Sequence, residues 1–290
     1  MANSASGKPG TLYLVATPIG NLGDISARAL ETLQNVDLIA CEDTRHTKKL
    51  LNHFAISTRL VSYHEHNERE KGSELIAMLQ DGLSIALVSD AGTPGISDPG
   101  CFLVRLAHAA DVRVVPVPGP VAFVSAVAAS GLPTDSIFFG GFLPSTRGER
   151  QRRLIEVRSI PATLVFYESP RRIVRALRDI AAVLGDRRAV VARELTKLHE
   201  EFLTGSINEL IAKFSSANLR GEYVLIIDRE RGPREASALT GSIENRIQEF
   251  AESGILGKAA IKHLSKEFGI SRSEAYRLIQ LRKRNVEISD

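Results

Sequence analysis

The chain has 290 residues, is 43% hydrophobic and 24% charged, and carries a formal net charge of only +3. That composition describes a globular chain of about two domains whose cores need neither disulfides nor a structural metal, and it excludes fibrous, disordered and disulfide-scaffold proteins. The two cysteines, Cys41 and Cys101, have no CxxC spacing and are expected as reduced, mostly buried thiols in a cytoplasmic protein, and no apolar run approaches the roughly 20 residues of a membrane span.

Met1 to Gly10 is small and polar, without a basic stretch leading into an apolar one. It reads as a disordered tail, residues 1–10, and not as a signal peptide. From there, short apolar runs predict buried strands at Leu12–Ala16, Asp37–Ala40, Ser84–Ser89 and Val112–Val117. Helical patterns begin near Ile25, Lys71, Pro99 and Pro120. Such alternation predicts an α/β fold with a largely parallel sheet. The proline-dense run Pro116–Pro120 forbids regular structure and marks a break. A second set of strands is predicted at Ile137–Phe139, Thr163–Tyr167, Ala189–Ala192, Glu201–Thr204 and Tyr223–Asp228, with helices at Pro170–Leu184 and Ser206–Phe214. The expected organisation is therefore two α/β domains, 11–118 and 119–230.

Arg229–Ala238 is charged, contains Gly-Pro and reads as a linker. Beyond Thr240 the pattern is helical only. One helix runs from Lys258 to a glycine cap at Gly269. A second covers Ile270–Ile279, capped by Ser271 or Ser273, with Ile270, Ala275, Leu278 and Ile279 facing inward. Lys258, Lys262, Lys266, Arg272, Arg277, Arg282, Lys283 and Arg284 oppose only Glu267 and Glu274 there, so the basic excess is concentrated at this end. Two helices with Gly269 in the turn have helix-turn-helix spacing, although Ser265 replaces the usual smaller residue four positions earlier. Residues 240–290 are expected to form a basic helical domain that docks on structured RNA, the alternative being a basic helical pack that serves dimerisation.

The dinucleotide fingerprint GxGxxG, the phosphate loop GxxxxGK[ST], HExxH and GxSxG are all absent, which argues against the commonest dehydrogenases, NTPases, zinc proteases and hydrolases. Three loops that follow strands carry the chemistry instead. The densest is VSDAGTPGISDPG, where Asp90–Gly100 holds three glycines, two prolines and two aspartates, more than a connection needs. Gly92 and Gly95 let backbone approach a ligand, and Asp90 can accept hydrogen bonds from an ammonium or a ribose. The others are Ala16–Asp24 and Cys41–His46, the latter either a polar site or a solvated helix start. Arg171, Arg172 and Lys197 follow short motifs in the second domain and are candidate phosphate contacts.

TPIGNLGDIS, CEDTRHT, VSDAGTPGISDPG, PVPGP, FYESPRR, ARELTKLHEE and GEYVLII stand in one order along residues 11 to 228. In that order and spacing the chain resembles the small-subunit ribosomal RNA cytidine 2′-O-methyltransferases, a family within the tetrapyrrole-methylase superfamily. Asp90-Ala-Gly-Thr-Pro stands where better-known members show Gly-Asp-Pro, which points to the RNA-modifying branch. The resemblance implies S-adenosyl-L-methionine folded in the cleft between two α/β domains, and 16S rRNA or the small ribosomal subunit as partner. Asp90, Gly92, Thr93, Pro94, Ile96 and Ser97 would take its amino-acid and ribose portions, Val121 and Ala122 would lie beside the sulfonium, and Tyr167, Glu194, Leu195, Glu222 and Tyr223 would surround the adenine. His46, Arg171, Arg172, Lys197, Lys258, Lys262, Arg272 and Arg277 would contact RNA. A homodimer is expected, as in the superfamily.

Methyl transfer from a sulfonium is an in-line displacement that needs alignment, and no metal, because the leaving thioether is neutral. A ribose hydroxyl must also lose a proton. The candidates are Glu42, Asp43, His46, Glu168, Glu194 and the histidines His64 and His66. Glu42 and Asp43 beside Arg45, together with Glu168, are taken as the catalytic set. Two other functions share part of the pattern: carbon methylation of a tetrapyrrole, which needs no basic appendage, and a DNA-binding regulator, which needs no acidic glycine-rich loops.

Overall fold

A computed structural model describes residues 8–215, 219–229, 243 and 245–287, apart from 252, 256, 269 and 271. The first sheet holds β1 (Thr11–Val15), β2 (Leu38–Cys41), β3 (Leu60–Ser62), β4 (Ile85–Val88) and β5 (Arg113–Val117). Their order is β3-β2-β4-β1-β5, and every pairing is parallel. β2 and β4 are buried at each position, as a strand covered on both faces must be. The crossovers are α1 (Ala27–Asn35), α2 (Thr44–His53), α3 (Glu68–Gln80) and α4 (Cys101–Ala109). Leu75, Leu79, Leu87 and Leu103 fill one face of the sheet, and Leu33, Ile39, Leu51 and Val88 the other. α2 and β3 were not predicted as elements. The run CEDTRHT proves to be a helix start, with the Asp43 carboxylate accepting the Arg45 N–H at 2.8 Å.

The expected tail ends sooner than residue 10. Gly10 is buried and donates its N–H to Leu79 O at 2.7 Å, against the Leu83 carbonyl, where a side chain has no room.

The second sheet orders β6 (Ile137–Phe142), β7 (Thr163–Glu168), β10 (Tyr223–Ile227), β8 (Arg188–Arg193) and β9 (Glu201–Ser206) as β6-β7-β10-β8-β9. Only β6 and β7 run parallel; the other three pairings are antiparallel. This departs from the largely parallel sheet that alternation predicts. Residues 194–200 join β8 to β9 without a helix, too short for the crossover of a dozen or more residues that parallel neighbours require. One face is covered by α6 (Arg147–Val157), α7 (Ile173–Leu184) and α8 (Ile207–Ser215), and the other by α5 (Ala122–Ser130).

α6 escaped prediction because its one fully buried charge, Arg150, breaks the apolar periodicity. Arg150 meets Asp179 of α7 at 2.6 Å, with both residues at most 5% exposed. The same guanidinium donates to the Pro144 and Ser145 carbonyls, and Gln151 donates to the second Asp179 oxygen. Helices Lys258–Phe268 and Arg272–Glu287 pack with Ile243, Ile247 and Phe250 around Leu264, Ala275 and Ile279. Ser265 Oγ donates to Ile270 O at 2.7 Å and so closes the turn between them. The expected caps Gly269 and Ser271, and linker residues 230–238, lie outside the described residues.

Removing one partner of a buried, hydrogen-bonded pair strands the other. Asp179→Ala is therefore expected to lower stability by about 3–5 kcal/mol in urea unfolding. Arg147→Ala, which loses a contact to the same carboxylate from an exposed position, should cost less than about 1 kcal/mol.

Candidate functional site

In an open parallel sheet, ligands gather at the carboxyl ends of strands where the order reverses. Here β1 and β4 lie side by side at that point, and the loops leaving them are stitched together. Thr17 N–H donates to Gly92 O at 2.8 Å, Gly92 N–H donates to Thr17 O at 3.0 Å, and Thr17 Oγ1 donates to Ser89 O at 3.2 Å. Gly92 has φ +84, a conformation that L side chains rarely adopt. A cavity of about 480 Å³ opens beside this junction, lined by loops from both sheets.

Its first-domain wall includes Glu42, Asp90, Gly92, Thr93, Ile96 and Ser97, with Ile19, Ala91 and Asp98 beside them. Asp90 Oδ1 accepts the Asp43 N–H at 3.0 Å, which ties the β2 and β4 loops together. Burial pushes the Glu42 carboxyl above its ordinary value; Asp90 adds to this and His64 opposes it. Burial, then Glu42 and Asp90, pushes Asp98 up to about 6, against a hydrogen bond from Ser89. These carboxylates suit a cationic ligand, or a proton delivered from one. Among the described residues, no three His, Cys, Asp or Glu side chains converge closely enough to hold a metal ion.

The opposite wall includes Val121, Ala122, Tyr167, Glu168, Leu195, Glu222 and Tyr223. Tyr167 Oη accepts the Phe123 N–H at 3.2 Å, satisfying an orphan donor in the first turn of α5, and burial raises its pKa. Burial also raises the Glu168 carboxyl, although the Ser169 N–H and Arg172 pull it down. Lys197 Nζ bridges Glu194 Oε1 at 2.9 Å and Glu222 Oε2 at 3.0 Å. Glu194 and Thr196 both hold positive φ, at 51 and 65. Gly20 and Gly221 make room for that loop: a Cβ on either would lie 2.5 Å from Lys197 or Glu194 side-chain carbon. Partial burial pushes Glu194 up, but Lys197 and the Glu222 N–H outweigh it and leave the carboxyl lowered.

Several expected site residues stand elsewhere. Asp43 and Arg45 do not line the cavity. They pair with each other at 2.8 Å, which holds the Asp43 carboxyl far below its ordinary range, and the Arg45 side chain is 88% exposed. Helix α2 begins at Thr44, so Glu42 faces inward while its neighbour caps the helix. Pro94 is buried in the turn behind the wall, and Glu194 stays out of the lining, joined to it through Lys197 and the Glu222 N–H. Arg172, expected on phosphate, is bound to Glu168 at 3.1 Å and to the Leu143 and Pro144 carbonyls. Lys197 is likewise committed to its two glutamates. His46 and Arg171 are exposed, as are Lys258, Lys262, Arg272 and Arg277 on the C-terminal helices. His64 Nδ1 is buried with no hydrogen-bond partner among the described residues, and the His66 ring lies 5.9 Å away.

Asp98, Phe142, Ser169, Pro170, Gly221 and Val224 line the cavity unforeseen. Asp98 was visible in the sequence as the opening of a helix. Phe142 was hidden because Gly140-Gly141 reads as the end of a strand, whereas the strand bulges and continues.

Residues 11–211 match the family model described as tetrapyrrole (corrin/porphyrin) methylases. A "Ribosomal RNA small subunit methyltransferase I" of Halalkalibacterium halodurans is 47% identical over 272 residues, covering 93% of this chain and 94% of its own length. The protein of that name from Escherichia coli O157:H7 is 52% identical over 235 residues, covering 80% and 82%. Among solved structures, a uroporphyrin-III C-methyl transferase from Thermus thermophilus complexed with S-adenyl homocysteine superposes with TM-score 0.54 at 19% identity, covering 76% of this chain and 97% of its own. A cobalt precorrin-4 methyltransferase does so with TM-score 0.54 at 16% identity, covering 75% and 94%. At those identities the likeness is one of fold.

In the ligand-free protein, the Asp98 carboxyl is expected to titrate near 6. Glu42→Gln removes a neighbouring negative charge, so the same carboxyl should titrate lower, as followed by carbon-13 NMR of the aspartate side chains.

Proposed function

The chain belongs to the family of tetrapyrrole (corrin/porphyrin) methylases, and we propose that it is an S-adenosylmethionine-dependent methyltransferase that modifies the ribose 2′-hydroxyl of cytidine 1402 in the 16S rRNA of the small ribosomal subunit. The observation that carries the choice of RNA is the extent of its likeness to the rRNA methyltransferases. A match that covers 93% of this chain must run into the basic helical end, at least as far as the first of its two helices. A homodimer acting in the cytoplasm is part of the same reading.

The cavity suits the cofactor on its own terms. Its 480 Å³ falls within the range of small-molecule sites. Glu42, Asp90 and Asp98 offer negative charge to a sulfonium and an ammonium, while Ile19, Val121 and Ala122 offer an apolar wall. Bound there, S-adenosylmethionine supplies an electrophilic methyl group and departs as a neutral thioether. Backbone from the Gly92 turn and the Leu195 loop positions it, and the two domains exclude water.

The remaining task is the hydroxyl proton. Asp43 is committed to Arg45, Glu168 to Arg172 and Glu222 to Lys197, and Asp90 accepts the Asp43 N–H, which leaves Glu42 and Asp98 as the lining carboxylates in no ion pair and on no backbone N–H among the described residues. We assign proton acceptance to Asp98. As the hydroxyl oxygen gains the methyl, its O–H bond breaks and the proton passes to an Asp98 carboxylate oxygen. Burial and the charges of Glu42 and Asp90 make that oxygen more basic than an ordinary aspartate.

Asp98 accepts a proton only when ionised. Because its pKa is raised, kcat/KM should climb with pH through a limb near 6 and level off above it. Asp98→Asn should lower kcat, measured at saturating cofactor, by about 100-fold or more, and Glu42→Gln should move the limb to lower pH. Lack of any shift in the limb would remove Asp98 from this role.

The substrate is tested with labelled S-adenosylmethionine offered to unmodified small subunits, naked 16S rRNA and a reduced porphyrin precursor. Label is expected as 2′-O-methylcytidine at one site. Label in the porphyrin alone, or in none of the three, overturns the assignment.

A further inference from the structure

The exposed positions of α7 and the turn before it are Arg171, Arg175, Arg178 and Ala182. The three arginines are spaced i, i+4, i+7 and so share one helix face. Asp179, the helix's one acid, is buried beneath Arg150. None of the three makes an ion pair or hydrogen bond among the described residues. A solvated helix face ordinarily mixes signs. Here, like charges lie along roughly 10 Å of chain with no ion pair among the described residues to offset them. The face begins where the cavity opens: Ser169 and Pro170 line the cavity, and Arg171 follows.

At the same opening stands Phe142, 57% exposed although it lines the cavity. The bulge of β6 puts it there. Register shifts between Phe139 and Phe142, Gly141 has φ +64, and a side chain on Gly140 would run into the Phe166 ring at 2.4 Å. Phe142 meets the Tyr167 ring edge-on at 5.5 Å, which fixes its orientation and leaves it uncovered. Two glycines and a broken register thus hold an apolar ring in water at the edge of the cavity.

We propose that the Arg171–Arg175–Arg178 face and Phe142 form one track for a single-stranded stretch of the RNA substrate, with phosphates on the arginines and one base stacked on Phe142. The inference rests on the RNA reading above and adds where and in what form the RNA is held. A ribose hydroxyl reaches the floor of this cavity only if its nucleotide leaves the helix, and a splayed base needs a new stacking partner. Aromatic stacking serves any base, while unpaired arginines serve the backbone.

The test uses the full chain and an unstructured RNA oligonucleotide carrying the target cytidine, with binding measured across a salt series. Arg171→Gln, Arg175→Gln and Arg178→Gln combined should reduce the slope of log affinity against log salt by about 2, at roughly 0.7 per single-strand phosphate contact. Phe142→Ala should weaken binding about tenfold with the slope unchanged, and Phe142→Trp should restore it. Cofactor affinity and sedimentation mass should match the wild type in all three proteins. Unchanged RNA affinity in the variants, with the wild type methylating RNA, overturns the track and leaves the activity standing. A fall in cofactor affinity on Phe142→Ala reassigns the ring to the cofactor, and a changed sedimentation mass reassigns the surface to a second copy of the chain; either overturns the track. A wild type that methylates no RNA removes the underlying reading and the track with it.

Discussion

The site depends on negative charge that the protein itself does not balance. Glu42, Asp90 and Asp98 share the floor of a half-buried cavity, and the cations nearest in sequence are kept from it. Arg45 is drawn out to Asp43, Arg172 is bound to Glu168, and Lys197 is bound to Glu194 and Glu222. Burial raises Glu42 and Asp98 because ionised carboxylates are poorly solvated there and because each feels the others. An arginine on this floor would relieve the strain and also remove the affinity for a positively charged ligand.

Holding such a floor open requires a stiff frame. The strand order puts the ends of β1 and β4 together, and the reciprocal Thr17–Gly92 hydrogen bonds lock their loops into one unit. The Asp43 N–H adds the β2 loop through Asp90. On the other side, the loop after β8 takes two positive-φ residues and wedges between Gly20 and Gly221. Gly20 follows β1 of the first sheet and Gly221 precedes β10 of the second, so one loop packs against both walls. Backbone strain of this kind persists only where its surroundings over-determine it, and here those surroundings are the two glycines and the Lys197 clasp.

Sequence patterns revealed the parts of this arrangement that are local. β2, β4 and β10 are buried along their whole length, so their apolar runs were unmistakable. The glycine-rich turn after β4 was legible because its residue types have few other uses. What depends on distant neighbours was not legible. α6 hides its inward face behind Arg150, which looks like a surface residue until Asp179 is placed opposite. Antiparallel pairing in the second sheet follows from a connection whose lack of a helix is a matter of length. Asp98 looked like a helix start, because its basicity comes from burial in the folded cavity and from carboxylates 8 and 56 residues away in the chain. Glu42 and Asp43 looked alike as a pair. Only the point at which α2 begins separates the residue that faces the cavity from the one that caps the helix.

The small net charge conceals a segregation of sign. Carboxylates line the cavity, while unpaired guanidinium groups stand on α7 and basic side chains on the C-terminal helices. Under the proposed function this ordering selects which part of a nucleotide goes inward. A phosphate entering the cavity would meet Glu42, Asp90 and Asp98 in a poorly screened environment, where like charges a few ångströms apart repel far more strongly than in water. The arginine face outside offers the opposite. A neutral ribose hydroxyl meets no such barrier and finds an acceptor for its proton. The same charges that favour a sulfonium therefore keep the RNA backbone at the mouth and admit only the sugar edge, which is the geometry that methylation of a ribose oxygen requires.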